Sequence, residues 1–144
     1  LLRLADEIAL LGQYLNLEKL RLGDRLNVEW EIAAVPADLK VPPLMLQPLL
    51  ENAVYHGIEP SGEAGTVRIC FTRYADELHI DVANPCSGRY AGQGGNHMAL
   101  ANIRERLALY YDLEARLETN ELTLSNGLQE YRVHIVLPCR STIQ

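Results

Sequence analysis

The 144-residue chain contains no run of Lys or Arg longer than a pair, and its formal charge is -6. The clustered basic footprint that nucleic acid requires is missing, so neither DNA nor RNA is expected as a direct partner. Cysteine is scarce. Cys70, Cys86 and Cys139 are odd in number and scattered, which fits neither a disulfide framework nor a Cys-x-x-Cys metal site and points to a reducing, cytosolic setting. No apolar run approaches the ~20 residues that cross a bilayer, and no signal peptide opens the sequence. Because Leu1 already lies within a helical pattern, the sequence is expected to be a piece of a longer protein, with any membrane segments elsewhere.

What is present is a one-domain length and a 48% hydrophobic content, enough for a core without disulfide or metal staples. Over residues 1–22, Leu4, Ile8, Leu11, Leu15 and Leu22 alternate with Arg3, Asp6, Glu7, Glu18, Lys19 and Arg21, the pattern of an amphipathic helix that Gly23 and Asp24 stop. Its apolar stripe must pack on this domain or on a second copy of the same helix. Leu26, Val28, Trp30 and Ile32 then alternate with polar residues as a half-buried strand does. Residues 66–73 and 78–82 read as a hairpin, residues 98–111 as a helix, and residues 113–137 as short strands broken at Thr119-Asn120 and Asn126-Gly127. This order predicts an α/β fold, a two-layer sandwich with a mixed sheet and helices on one face.

The stretch VPPLMLQPLLENAVYHG, residues 41–57, is the centre of the pattern. Pro42 and Pro43 suit the approach to a helix, Gly57 suits its end, and the interval is about four turns long. Leu46, Leu49, Leu50, Ala53 and Val54 draw an apolar stripe, while Gln47, Glu51, Asn52, Tyr55 and His56 lie on a neighbouring polar face. A neutral Asn52 amide oxygen beside Glu51 and His56 suits Mg2+ carried on a phosphate, a hard cation that keeps several waters. Asn84-Pro85 is placed at a strand end, where Pro85 would stop the ladder and leave the Asn84 side chain for a ligand edge or its own turn. Residues 84–97 hold four of the ten glycines and almost nothing apolar, as a surface loop would. Gly92-Gln93-Gly94-Gly95-Asn96 leads into the next helix, whose unpaired N–H groups and dipole favour an anion.

QPLLENAVYHGI resembles the N box, and NPCSG followed by GQGGNHMALANIRERL resembles the G1 and G2 boxes, of the ATP-binding domain of LytS-type sensor histidine kinases. YLNLEKLRLGDRLNVEWEI also resembles that family's linker from the second dimerisation helix into the first strand. The resemblance covers nearly the whole chain. It implies the Bergerat ATP-binding fold, with residues 1–24 as the end of a dimerisation helix and linker, 25–140 as the catalytic domain and 141–144 as a tail.

Carried onto this sequence, the resemblance places Asn52 as the Mg2+ ligand on the triphosphate and Glu51 beside it, polarising water or tuning the acceptor histidine. Asn84 stands where an Asp usually accepts from the adenine amino group. Gly94, Gly95 and Asn96 form the phosphate-proximal lid, Met98, Leu100 and Asn102 open the helix after it, and Tyr55 takes a commonly basic position for which His56 or Arg104 would substitute. His97 and Ala99 replace glycines, which narrows the backbone conformations of the lid. Pro48 stands where hydrolytic relatives carry a catalytic Glu, favouring phosphotransfer over rapid hydrolysis.

None of His56, His79, His97 and His134 has the Pro-His-Phe context of the family's phosphoacceptor, and His79 and His134 alternate within strands as structural residues do. The implied function is transfer of the ATP γ-phosphate to a histidine outside residues 1–144, and from there to a response regulator of LytTR type. The implied partners also include the protein's own dimerisation helices in a homodimer, with the catalytic domain cytoplasmic and the full-length protein anchored in the inner membrane. The alternative is a degenerate kinase scaffold that docks or controls a regulator without efficient ATP turnover. A hydrolytic ATPase of the same fold is disfavoured by Pro48.

Overall fold

The computed structural model describes residues 2–33, 35, 39–42, 45–58, 63–86 and 94–139, the side chains of His56 and of residues 94–98 excepted. In chain order these form β1 (Leu2–Arg3), α1 (Leu4–Leu22), β2 (Leu26–Ala33), β3 (Lys40–Val41) and α2 (Gln47–Asn52), which continues as a π-helix over Ala53–Ile58. β4 (Gly65–Tyr74), β5 (Glu77–Cys86), α3 (Gly94–Tyr111), β6 (Arg116–Thr123) and β7 (Gln129–Pro138) follow. Single 3-10 turns at Gly23–Arg25 and Asp112–Glu114 end α1 and α3.

Five strands share one sheet in the order β2-β4-β5-β7-β6, with β2 parallel to β4 and every other pair antiparallel. The register aligns Ile69 with Val82 and Val133, and Phe71 with Ile80 and Ile135, so alternate residues of the central strands build one apolar face. That face is buried together with Leu4, Leu11 and Leu15 of α1, Leu49 and Leu50 of α2, and Leu100, Ile103 and Leu107 of α3. Helices on one face of a mixed sheet are the α/β two-layer sandwich that the element order predicts, and the N-terminal amphipathic helix is present. Its stripe packs on this domain; Leu10, Leu17 and Leu20 face outward.

Opposite the core, the sheet carries charge. Arg68 and Arg132 clasp the buried Glu130. Beside them runs a row of four titratable side chains: Glu77 Oε1 to His79 Nε2 at 3.2 Å, His79 Nδ1 to His134 Nε2 at 3.1 Å, and His134 Nδ1 to Asp81 Oδ1 at 2.6 Å. The two strand histidines are tied into this structural row, and no disulfide joins Cys70, Cys86 and Cys139.

Several sequence expectations are corrected. The central helix does not run four turns from residue 41: Val41 pairs with Leu2 in a two-stranded ladder, and helical structure begins at Gln47. Val41 precedes a proline, which drives it to extended backbone. Pro85 does not end its strand but pairs with Glu130, at a point where β5 has run past its last β4 partner, Ala83, and so owes no amide to that side. Glu7, read as part of a polar face, is 1% exposed. α3 begins at Gly94 rather than at residue 98, and residues 87–93 of the expected loop lie outside the described residues. β6 passes unbroken through Thr119-Asn120, whereas the second break is a true hairpin in which Gly127 takes φ +87°. β2 is an edge strand, so Trp30 and Ile32 stay well exposed in spite of their alternation.

Phe71 is fully buried at the centre of the core. Phe71→Ala is expected to lower the unfolding free energy by ~3–5 kcal/mol, read as a shift of the urea midpoint. A loss within the ±0.5 kcal/mol or so typical of surface changes would remove β4 from the core.

Candidate functional site

The segment from Gln47 to Ile58 is one helical rod with two kinds of turn. Leu49, Leu50, Ala53, Val54, Gly57 and Ile58 are buried against the sheet, and Glu51 and Tyr55 face out. Buried and exposed positions therefore divide as the spacing of the residues predicts. Gln47 Nε2 donates to Glu51 Oε2 at 3.1 Å, a bond along the polar face that holds the carboxylate close to the helix. Asn52, half-buried, sits where the α-turns pass into the π-turns. Tyr55 is 63% exposed.

The polar wall continues across the layer boundary. Asn84 is 2% exposed and lies on the helix-facing side of β5, opposite Tyr131 of β7. Its Nδ2 donates to the carbonyl of Pro85 at 2.8 Å, which leaves Oδ1 as the acceptor end of the amide. A Cβ on Gly57 would stand 2.5 Å from Asn84 Nδ2 and 3.0 Å from its Cβ and Cγ. Glycine is required there by this close approach, not only as a helix stop. The contact joins the helix bearing Glu51 and Asn52 to the strand bearing Asn84, 32 or more positions away in sequence. Gly65 makes a similar approach one strand over, where an added Cβ would meet Ile58 Cδ1 at 2.8 Å and Pro85 Cγ at 2.9 Å.

α3 packs against α2 through a short contact. Gly94, Gly95, Asn96 and Met98 form its first turns, with Leu100 buried in the core as its anchor and Asn102 exposed. Arg104 reaches the other way: its Nη2 lies 3.4 Å from the carbonyl of Leu117 on β6. The side chain of His56 lies outside the described residues. A separate cavity of about 630 Å³ opens beyond Gly57 and Pro85, and among the described residues Glu29, Glu63 and Glu130 face it against Arg68, a balance unsuited to a polyphosphate. Among the described residues no group of three or more His, Cys, Asp or Glu could hold a metal ion.

α1 contributes two residues that sequence patterning missed. Glu7 accepts the N–H of Leu46 at 3.3 Å, at the very start of α2. Tyr14 donates to Glu18 Oε2 at 2.9 Å; burial first, then that bond and charge, and then the nearby Glu51 carboxylate push its phenol well above the ordinary value. Glu18 itself is held low chiefly by its bond from Arg21, which burial opposes and the bond from Tyr14 and the Arg21 charge reinforce. Glu7 carries no motif signal, and Tyr14 is only the first residue of the linker-like stretch YLNLEKLRLGDRLNVEWEI. The partial signal was that Glu7 falls between Leu4 and Leu11 at helical spacing.

No protein-family model matches the sequence. Among curated proteins, the sensor histidine kinase YpdA of Escherichia coli is 30% identical over 114 residues, 73% of this chain and 20% of the relative. The sensor protein LytS of Enterococcus faecalis is 26% identical over 146 residues, 93% of this chain and 24% of the relative. The chain thus spans about a fifth to a quarter of the length of these relatives. Among solved structures, the nucleotide-free catalytic domain of histidine kinase ThkA superposes with a TM-score of 0.65 at 14% identity, over 95% of this chain and 92% of that one.

Two outcomes follow from the geometry. Gly57→Ala is expected to cost ~1–3 kcal/mol, as overpacking does, and to shift the Asn84 side-chain amide signal in NMR; an unmoved signal would break the link between helix and strand. Tyr14 has a folded pKa above its unfolded value of about 10, so the folded state holds the proton more tightly. Its contribution is present below that pH and is lost as pH rises, so the urea midpoint should fall above about pH 10 less steeply in Tyr14→Phe than in the wild type. The chain has the fold of a histidine kinase catalytic domain, and its homologues are LytS and other sensor histidine kinases.

Proposed function

We propose that this chain is the ATP- and Mg2+-binding catalytic domain of a two-component sensor histidine kinase. The carrying observation is the Gly57–Asn84 contact, which brings the helix of Glu51 and Asn52 and the strand of Asn84 into one wall. The residues fit a nucleotide. Asn84, its Nδ2 engaged by Pro85, has Oδ1 left to accept from an adenine amino group. The opening turn of α3 at Gly94, Gly95 and Asn96 supplies N–H groups and a positive dipole end for phosphate oxygens. Asn52 holds Mg2+ through one hard oxygen, and Glu51, kept on the polar face by Gln47, polarises the acceptor. Met98, Leu100, Asn102 and Arg104 carry the lid helix, with Leu100 as its fixed end.

ATP-Mg2+ supplies the phosphoryl group; the chain's own share is to bind, orient and shield it. The acceptor histidine lies outside residues 1–144, on the protein's own dimerisation helices in a homodimer, and a response regulator of LytTR type receives the phosphoryl group. Residues 1–24 then form the end of the dimerisation helix and linker, residues 25–140 the catalytic domain and residues 141–144 a tail. No helix among the described residues is long and apolar enough to cross a membrane. The domain is read as cytoplasmic in a protein anchored at the inner membrane. As a finer reading of the quoted boxes, we propose kinship with the alginate and fimbrial regulator sensor and so control of such surface structures.

A second reading, a kinase scaffold with poor turnover, is favoured by one observation. The commonly basic position is the outward-facing Tyr55, and Arg104, one of its two substitutes for a phosphate contact, is engaged on Leu117 instead.

Calorimetry separates the two. ATP with Mg2+ is expected to bind, and no heat at millimolar nucleotide would favour the scaffold. Asn52→Ala should abolish the Mg2+ dependence. Asn84→Ala should weaken ATP and ADP alike by about tenfold, equivalent to ~1.4 kcal/mol, and an equal loss for GTP would remove adenine recognition from Asn84.

A further inference from the structure

The helix that carries Glu51 and Asn52 has no cap of its own. Its N-cap residue is Leu46, which has no side-chain acceptor, and no side-chain cap bond comes from the segment itself. Proline at position 48 has no N–H, and the Leu49 amide turns back to the Leu46 carbonyl at 3.0 Å. The amides of Leu46 and Gln47 therefore have to be satisfied from outside the helix. That of Leu46 is taken by Glu7, on α1, 39 positions earlier, through Oε2 at 3.3 Å. Glu7 is 1% exposed, and its Oε1 meets no hydrogen-bond partner among the described residues. A carboxylate is not retained at such depth for packing: apolar side chains surround it on α1, where Leu4, Leu11 and Leu15 are buried. Among the described residues its one hydrogen bond goes to the start of α2.

Further ties join α1 and the strand before it to α2 and the segment that leads into it. The Leu4 amide donates to the Leu39 carbonyl at 2.6 Å. β1 and β3 pair Leu2 with Val41 and Arg3 with Lys40, on the chain that leads into α2. About two turns along α1 from Glu7, Tyr14 lies close enough to Glu51 to feel its charge.

We propose that Glu7 is a positioning residue that caps α2 from α1, so that the placement of Glu51 and Asn52 depends on the axial and rotational setting of α1. A change in α1 withdraws the carboxylate, frees the Leu46 amide and frays the first turn of α2. The consequence for nucleotide rests on the function proposed above; the capping itself does not.

Amide hydrogen exchange on the whole 144-residue chain tests it, with three variants. Glu7→Leu removes the acceptor at similar volume, Glu7→Asp keeps the charge but shortens the side chain by one methylene, and Glu7→Gln keeps an acceptor oxygen at full reach. Exchange over residues 46–52 is expected to quicken about tenfold in the Leu and Asp variants, as loss of a cap opens a helix end locally. In Glu7→Gln it should stay at the wild-type rate, with β4, β5 and β7 unchanged in all three. Should Glu7→Leu fail to fold, the Asp and Gln pair decides. Wild-type exchange over residues 46–52 in Glu7→Asp would overturn the proposal, and so would an equal rise in helix and sheet in every variant, which is the mark of a packing residue. ATP-Mg2+ titration of the same variants is the second readout, with weaker binding in Leu and Asp and recovery in Gln. If the wild type binds no nucleotide, the kinase reading fails while the exchange result still stands.

Discussion

Burial of one helical rod against two strands is the contact on which the rest of this molecule depends. Leu49, Leu50, Ala53, Val54 and Ile58 pack into the face made by β4 and β5, and each large side chain among them contributes ~1.5–3 kcal/mol by leaving water. That apolar seal fixes the rod's azimuth, which in turn turns Glu51 and Tyr55 outward and sets Asn52 at the boundary. The π-turns over Ala53–Ile58 belong to the same compromise. They let the rod keep its apolar side down while its last residues close onto Asn84 through Gly57.

Among the described residues the buried polar side chains are few, and each has a hydrogen-bond partner. Asn84 is held by its own following carbonyl under the rod, Glu130 by Arg68 and Arg132 on the opposite face, and Glu7 by the amide that opens α2. These three mark the joints of the sandwich: rod to sheet, strand to strand, and N-terminal helix to rod. The His79–His134 row with its flanking carboxylates does similar service on the solvent side, where apolar packing is not on offer. Charge is thus placed at seams, and the interior between them is hydrocarbon.

α1 occupies an unusual position in this scheme. By its apolar stripe it is part of the core, by Glu7 it bonds the start of the rod, and by Tyr14 it lies within reach of the Glu51 charge. A helix engaged through both kinds of contact cannot rotate without changing both, because its buried leucines and its buried carboxylate lie on the same face.

Local pattern by itself determined the class of the fold, the strand hairpin, the stripe of α1, the inward face of the rod and the glycine turn at Asn126-Gly127, because period and turn chemistry are properties of neighbours in sequence. The motif resemblance determined which polar residues to watch. Only the tertiary structure decided the true start of the rod at Gln47, set by the pairing of Val41 with Leu2. It also decided that Pro85 lies inside β5 on a locally unpaired edge, that Gly57 is demanded by Asn84, and that Glu7 is buried as a cap. Each of these depends on a partner dozens of residues away. A contact between distant segments has no period and no spacing, so it leaves no trace in the sequence until the chain is folded.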